Sequence, residues 1–236
     1  MTTKQRFYKT VTADILGEGF GVFLDDRKLV TPAKKPLIVA NLALAQLIGD
    51  EWEAQSETIN TATMPITRLV NVAIDRTPNA RAEMAQEIKK FASTDLLCYR
   101  TSAPQKLAQK QDEIWNPILE WAKQDLDLGM AMAIDSLDLV QSDETLNKVE
   151  VMASELDDLM LTLLAFLVPL CGSAILGFAL LRGQLSANQV FEAIRIEENH
   201  NAEIWGHDYE DLDKAKEKLA DLVAVERILA AIYIIK

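Results

Sequence analysis

The longest uncharged stretch of this chain limits how the protein can fold. Leu159 to Leu181 forms a run of 23 residues without a formal charge, and by length alone such a run is a candidate transmembrane helix. Pro169 and Gly172 interrupt the run near its middle, and its flanks lack the Lys/Arg cluster and the interfacial aromatic residues that favour a span. The run therefore predicts two short buried helices packed as a hairpin, with Gly177 among the small residues that permit close approach. A membrane-associated protein that uses residues 159–181 remains an alternative.

The first forty residues carry strand signals, whereas the rest of the chain has mainly the periodicity of helices. Residues 8–15, 20–24 and 28–31 are separated by turn residues and predict a meander of short strands, which cannot be stable alone. Asn41 and Pro65 suit the N-termini of two following helices. The predicted fold class is α+β, a small N-terminal β-containing domain followed by a mainly α-helical C-terminal domain. The expected ranges are 1–40 for the β meander, 41–140 for the mixed helical remainder of the N-terminal domain, and 141–236 for the helical C-terminal domain.

The charge of the chain limits its partners. The formal net charge is −12, which argues against nucleic acid because phosphate binding needs a surplus of Lys and Arg. Residues 1–35 carry a net charge of +3 and residues 141–236 carry −9. This asymmetry indicates either a partner with a basic or amphipathic face or simply a solvated acidic surface. Cys98 and Cys171 predict reduced thiols, and the N-terminus lacks a targeting sequence, so we expect a cytoplasmic protein.

Motifs for catalysis are few. The sequence has no G-x-S-x-G elbow, no Walker A loop and no dinucleotide fingerprint. Glu197 and His200 form an E-x-x-H pair, and Glu203 follows within the next turn, so the three could meet one metal ion. Ferritin-like sites need a second such motif, which this chain lacks, so an exposed acidic helix face is the simpler interpretation. We expect no enzyme, no metal and no cofactor, and a helical metal-dependent enzyme remains the alternative function.

The four tryptophans suggest two different roles. Trp52, Trp115 and Trp121 follow helical spacing with apolar neighbours, which predicts core positions. Trp205 instead ends a helix predicted over residues 186–205. Asp208 is expected to cap the final helix, where Glu210, Asp211 and Asp213 crowd the first turns. Their carboxylates are stabilised by the helix dipole, and they also form an acidic spot beside an aromatic ring, suited to capturing an arginine or a helix from a partner.

Several segments, in their order along the chain, resemble one family. They are Arg6-Phe-Tyr-Lys9, Leu24-Asp-Asp-Arg27 with residues 31–37, Glu51-Trp-Glu-Ala-Gln55, Thr63-Met-Pro-Ile-Thr-Arg68 with Ala73-Ile-Asp-Arg76, Thr94-Asp-Leu-Leu-Cys-Tyr-Arg100, and Trp205-Gly-His-Asp-Tyr-Glu210. Together they resemble the ATP synthase assembly chaperones that receive the free alpha subunit of the catalytic head. The resemblance extends from residue 6 to about residue 230.

The resemblance implies a non-enzymatic chaperone that binds the unassembled alpha subunit and covers the surface that later meets the beta subunit. The family's functionally sensitive acidic residue maps onto Glu210. The expected partner-binding residues are Glu210, Asp208, Asp211 and Trp205, and the expected structural motif residues are Trp52, Pro65, Arg68, Asp75, Arg76 and Asp95. His200 stands where the family usually has an aromatic residue. The eukaryotic members of the family are mitochondrial, whereas the lack of a presequence here leads us to expect a bacterial cytoplasm. We also expect a protein that is monomeric alone and has no stable membrane insertion.

Overall fold

The computed structural model describes residues 4–206 and 209–233, without the side chains of residues 4 and 209–211. It is 63% helical with a small β region near the N-terminus, so the predicted α+β class is confirmed. The strands are β1 Lys4–Gln5, β2 Val11–Leu16, β3 Gly19–Leu24, β4 Arg27–Lys28, β5 Thr58–Ile59, β6 Tyr99–Arg100 and β7 Ala133–Ile134. The helices are α1 Leu42–Glu53, α2 Pro65–Asp75, α3 Thr77–Ser93, α4 Gln105–Asp125, α5 Asp143–Ser154, α6 Asp158–Cys171, α7 Ala174–Leu181, α8 Ala187–Ile194, α9 Ile196–Trp205 and α10 Tyr209–Tyr233.

One compact unit comprises residues 1–80 and 224–236. Its centre is the predicted meander, in which β2, β3 and β4 pair antiparallel in that order. Helix α1 packs on β2 and β3, and Val22, Leu37 and Ile48 are fully buried there. The apolar face of α1 therefore gives the small sheet the core that three short strands alone cannot make.

Helices α1 and α2 are joined by a buried carboxylate. Asn41 caps α1 as predicted, since its Oδ1 accepts from the Leu44 N–H at 2.8 Å. Helix α2 begins at Pro65, also as predicted, and has no cap from its own flanking side chain. Glu51 of α1 supplies that cap, accepting from the N–H groups of Ile66 at 2.8 Å and Thr67 at 2.7 Å. A charge near the start of α2 also suits the helix dipole.

The second compact unit comprises residues 81–223. The predicted hairpin in the uncharged run is confirmed, since α6 and α7 pack on one another and all eight residues of α7 are buried. The break falls at Gly172, whose φ of +64° is in the left-handed region; Pro169 lies within α6 and does not end it. A Cβ on Gly177 would lie 3.0 Å from Leu164 Cδ1, so the hairpin requires a small residue at this position.

Asp95 connects the hairpin to the segment before β6. Its Oδ1 accepts from the Leu97 N–H and caps a 3-10 turn, and its Oδ2 accepts from the Ile175 N–H in the first turn of α7, both at 3.1 Å. Burial raises the pKa of this carboxyl to about 6, although a hydrogen bond from Ser173 and the backbone hydrogen bonds act in the opposite direction. One fully buried side chain therefore stabilises two helical starts.

One further feature differs from the expectation. The helix predicted over residues 186–205 is two helices, α8 and α9, which part at Arg195, where φ is −115° and ψ is 15°. The compact units divide near residues 80 and 223 because residues 224–233 of α10 belong with the N-terminal part. Separate domains with a boundary near residue 140 stay a prediction.

Among the helices of the described part of the chain, none is both long enough and apolar enough to cross a membrane.

Candidate functional site

Trp205 is the most exposed tryptophan of the chain and lies at the end of α9, in the second compact unit. Its side chain is 85% exposed, and its neighbour Ile204 is more than half exposed. Trp115 is instead buried, and its indole N–H donates to the Ala193 carbonyl at 2.8 Å. Burying a tryptophan is usually favourable, so a ring left in water at a helix end marks a candidate contact with another molecule.

The core prediction for the other tryptophans is confirmed for Trp115 alone. Trp52 and Trp121 are half-buried. Trp52 lies in the last turn of α1, with its ring edge-on to Tyr8 at 5.8 Å between centroids, and the Tyr8 hydroxyl donates to the Trp52 carbonyl at 2.7 Å. The helical spacing indicated the correct face of the helix but not how far the neighbouring chain covers each ring.

Helix α9 is fixed against α4 by polar contacts along its length. Glu203 forms ion pairs with Lys106 at 2.5 Å and with Lys110 at 2.8 Å. Near the other end of α9, Glu197 Oε1 accepts from Gln111 Nε2 at 3.1 Å. Lys106 and then Lys110 lower the pKa of the exposed Glu203 carboxyl to about 2, so these pairs persist throughout the neutral range. Trp205 is therefore displayed on a helix that α4 holds in place.

The acidic residues predicted beside Trp205 lie at the edge of the described chain. Asp208, expected to cap α10, lies outside the described residues, as do the side chains of Glu210 and Asp211. Helix α10 begins at Tyr209, so Glu210 and Asp211 belong to its first turn. The grouping of the acidic residues at that helix start with Trp205 stays a prediction.

The three residues of the alternative metal site are not grouped as metal ligands. His200 is 5% exposed, and neither of its ring nitrogens has a hydrogen-bond partner among the described residues. The expectation of an exposed helix face is wrong for this residue, because it lies on the side of α9 that packs inward. Glu203 binds the two lysines and Glu197 binds Gln111. Within residues 4–206 and 212–233, no three His, Cys, Asp or Glu side chains are grouped so that they could hold a metal ion.

The predicted structural motif residues divide into two groups. Asp75 accepts from the Thr31 hydroxyl at 2.6 Å and from the Ala33 N–H at 2.9 Å, and so holds the loop that follows β4. Asp95 caps two helical starts, as described above, and Pro65 begins α2. Arg68 is instead an exposed residue of α2, and Arg76 is exposed directly after the end of that helix. A structural role therefore fits Asp75, Asp95 and Pro65 better than it fits the two arginines.

Neither cysteine is suited to nucleophilic chemistry. Cys98 and Cys171 are free and buried. Burial raises the pKa of each thiol to about 12, and the nearby Asp95 adds to the shift. Both are therefore protonated and unreactive at neutral pH, in agreement with the prediction of reduced thiols.

Sequence reasoning missed an exposed apolar segment between α4 and α5. It comprises residues 132–140 and is called the 132–140 loop. Within it, Leu137 is 88% exposed and Val140 is 87% exposed. Beside the loop is a cavity of about 370 Å³ lined by Tyr99, Arg100, Thr101, Asp135, Ser136, Leu137 and Glu197. The available signal was a set of apolar residues interrupted by Asp135, Ser136 and Asp138 between Ile134 and Val140.

Comparisons with known proteins agree with the family that the motifs indicated. Residues 5–123 match the sequence model of a family described as ATP12 chaperone protein. The Schizosaccharomyces pombe protein named atp12, mitochondrial, is 27% identical over 241 residues, which covers 95% of this chain and 83% of that protein. The crystal structure of Atp12 from Paracoccus denitrificans is 36% identical and superimposes with a TM-score of 0.89, covering 96% of this chain and 97% of that one. An aspartate-to-lysine mutant of the same P. denitrificans protein gives a TM-score of 0.88 at the same identity and coverage.

Proposed function

This chain belongs to the ATP12 chaperone family, and from that premise we propose that it binds the unassembled alpha subunit of the ATP synthase catalytic head. It shields the surface of alpha that later meets the beta subunit and prevents aggregation until beta displaces it. A subunit of an obligate oligomer exposes a large apolar interface before assembly, and such a surface aggregates unless it is covered. The protein acts by binding, without a catalysed reaction.

The observation that carries this proposal is the exposure of Trp205 on a helix that is held in place. Tryptophan is enriched among the residues that dominate binding energy at protein interfaces, and Ile204 extends the apolar contact. The sequence continues from Trp205 into Asp208, Glu210 and Asp211, whose carboxylates attract a basic partner and speed the encounter. An aromatic anchor beside acidic residues fits an interface that forms quickly and later dissociates.

Release of alpha follows from competition. The sequence has no Walker A loop, and the proposed cycle uses no nucleotide. Beta and the chaperone would cover the same apolar surface of alpha, so the tighter and larger beta interface displaces the chaperone by mass action. The affinity of the chaperone for alpha must therefore be lower than that of beta.

The direct test measures light scattering of isolated ATP synthase alpha subunit diluted from denaturant, with and without this protein and without ATP. We expect suppressed scattering and a complex that co-elutes on size exclusion and dissociates when beta is added. Aggregation of alpha at an unchanged rate would overturn the proposal, and so would a complex that beta leaves intact.

Charge reversal at Glu210 tests the proposed binding residues. Glu210→Lys is expected to weaken binding of alpha about tenfold or more, as loss of a central charged contact does, while the fold stays intact and loses only about 1 kcal/mol of helix-dipole stabilisation. Glu217→Lys is the matched control, because Glu217 is exposed two turns further along α10 and undergoes the same change of charge. Equal affinities of the two variants for alpha would contradict the assignment of Glu210 to the interface.

A further inference from the structure

The 132–140 loop concentrates exposed apolar surface in one short segment. Leu137 and Val140 are almost as exposed as side chains can be, and Met132 and Ile134 are each more than half exposed. Single exposed apolar residues are ordinary on protein surfaces, whereas a contiguous group commonly marks a site of interaction. Since the four side chains lie within nine residues, the segment fits an interaction site.

The backbone of the loop is held in place although its side chains are exposed. The Gln141 side-chain amide bonds to both backbone groups of Ala131, accepting from its N–H at 2.8 Å and donating to its carbonyl at 2.9 Å. At the centre of the loop, Asp135 Oδ1 accepts from the Ser102 N–H at 2.9 Å, and the Asp135 N–H donates to the Arg100 carbonyl at 2.9 Å. A partner that binds these side chains therefore does not bear the full entropic cost of ordering the segment.

The cavity beside the loop presents mainly negative charge to solvent. Asp135 and Glu197 are both exposed at its lining, and hydrogen bonds from Ser102 lower the pKa of Asp135, which keeps it ionised. Arg100 also lines the cavity, but its side chain is only 6% exposed, its Nε donates to the Leu97 carbonyl at 2.8 Å and its Nη1 lies 3.5 Å from Asp112. Its Nη2 is buried without a hydrogen-bond partner among the described residues, so its charge is only partly compensated. That charge is nevertheless shielded from solvent, whereas the two carboxylates are exposed, so the accessible surface favours a cation.

We propose that the 132–140 loop and the adjoining cavity form a second docking surface for the client, and that its occupant is an apolar segment carrying a Lys or Arg side chain. The apolar residues of that segment cover Leu137 and Val140, and its cation enters the cavity beside Glu197. This inference rests on the proposed function for the identity of the client, the alpha subunit. Glu197 and Trp205 lie on the same helix about 12 Å apart at 1.5 Å per residue, so one client can reach both.

The first experiment compares binding of purified alpha subunit by three forms of the full chain. Leu137→Ser/Val140→Ser removes the apolar contacts from exposed positions, so the fold should be kept, and affinity for alpha is expected to fall about tenfold. Val151→Ser is the matched control, because Val151 is also an exposed apolar residue of the same compact unit but lies on α5, outside the loop. An unchanged affinity of the double variant overturns the proposal, as does an equal loss in the control.

A second experiment uses defined peptides, so that it does not depend on the identity of the client. Acetyl-Leu-Lys-Leu-Lys-Leu-amide and its Glu counterpart are titrated into the ¹⁵N-labelled full chain, and backbone amide shifts are followed by NMR. The Lys peptide is expected to shift amides of residues 132–140 and 197, while the Glu peptide binds at least about tenfold more weakly because like charges repel. In Glu197→Gln the difference between the two peptides is expected to shrink.

The outcomes separate the two proposals. If the wild-type chain fails to bind alpha while the Lys peptide binds the loop, the proposed function fails and the docking surface stands. If alpha binds but the double variant binds it equally well, the docking surface is overturned and the proposed function stands. If the two peptides bind with equal affinity, or shift amides elsewhere in the chain, the proposal that the occupant carries a Lys or Arg side chain is also overturned.

Discussion

Replacing Asp95 by asparagine or alanine is expected to destabilise the second compact unit without altering its surface. The Asp95 carboxylate accepts from Leu97 and Ile175 and is fully buried. Loss of a cap costs about 1 kcal/mol, and a buried N–H group left without an acceptor costs about 1–3 kcal/mol. We therefore expect Asp95→Ala to lower the free energy of unfolding by about 3–5 kcal/mol, and Asp95→Asn, which keeps one oxygen, by about 1–2 kcal/mol at pH 7.5.

The destabilisation caused by Asp95→Asn is expected to depend on pH, and the sign of this dependence follows from the burial of Asp95. Burial raises the pKa of Asp95 from 3.8 in the unfolded chain to about 6 in the fold, so the folded state holds the proton more tightly. The stability that this proton contributes is fully present below about pH 4 and is lost as pH rises through about 6. At 1.36 kcal/mol per pKa unit, the wild type loses about 1.4 kcal/mol from this group between pH 5 and pH 7.5. Asparagine does not titrate, so Asp95→Asn destabilises the protein more at pH 5 than at pH 7.5 by about this amount.

Urea unfolding followed by circular dichroism at the two pH values measures this difference. Asp25→Asn serves as the control, because hydrogen bonds from Thr10 and Lys9 lower the pKa of Asp25, so that it is ionised in both states over this range and its effect should not vary. A pH-independent effect of Asp95→Asn would refute the reasoning that Asp95 binds its proton unusually tightly. A destabilisation by Asp95→Asn that is larger at pH 7.5 than at pH 5 would mean that the fold lowers the pKa of Asp95 instead of raising it.

Three further predictions concern stability and reactivity. Cys98 and Cys171, whose pKa values are raised to about 12, should react with a thiol reagent at pH 8 only as fast as the protein unfolds, and a reaction within the time of mixing would contradict this. Gly177→Val should lower the free energy of unfolding by about 1–3 kcal/mol through overpacking against Leu164. Its control is Gly129→Ala, which should leave the melting temperature unchanged because a Cβ there meets nothing within 4 Å. Glu51→Ala should lower the free energy of unfolding by about 2–4 kcal/mol because it leaves the buried N–H groups at the start of α2 without acceptors. Its control is Glu53→Ala, which removes an exposed ion pair with Arg6 and should lower the free energy of unfolding by less than about 1 kcal/mol.

Local signals in the sequence predicted much of the fold. Asn41 before an apolar stripe, Pro65 at a helix start and Gly172 within the uncharged run each have a physical effect that neighbouring residues do not override. These residues fix where α1, α2 and the α6–α7 hairpin begin or end, and the structure confirms all three.

The errors come from contacts between distant parts of the chain. Nothing near Arg195 signals a helix break, because neither glycine nor proline is present, yet α8 and α9 part there. His200 lies among acidic residues and was expected on an exposed face, yet it is buried. The caps that Glu51 and Asp95 supply to other helices join residues 15 and 80 positions apart, which no local pattern shows.

The candidate site was predictable only in part. Trp205 at a helix end before Gly206 was identified from its position in the sequence, and the structure shows it exposed. The 132–140 loop was missed because its four exposed apolar residues are spaced by two, three and three positions, which does not show which of them is covered. Whether such a segment faces a core or solvent depends on which other elements cover it.

The cap that Asp95 gives to α7 has a consequence for the order of folding. Helix α7 is wholly apolar, and Ser173 directly before it accepts from the Leu176 N–H. The acceptor for its Ile175 N–H, however, comes from a residue 80 positions earlier in the chain. Closing a loop of that length costs about 4 kcal/mol in chain entropy, so the contact is expected to form late. Until it forms, this octapeptide is exposed to other unfolded molecules, and refolding yield should therefore fall as protein concentration rises.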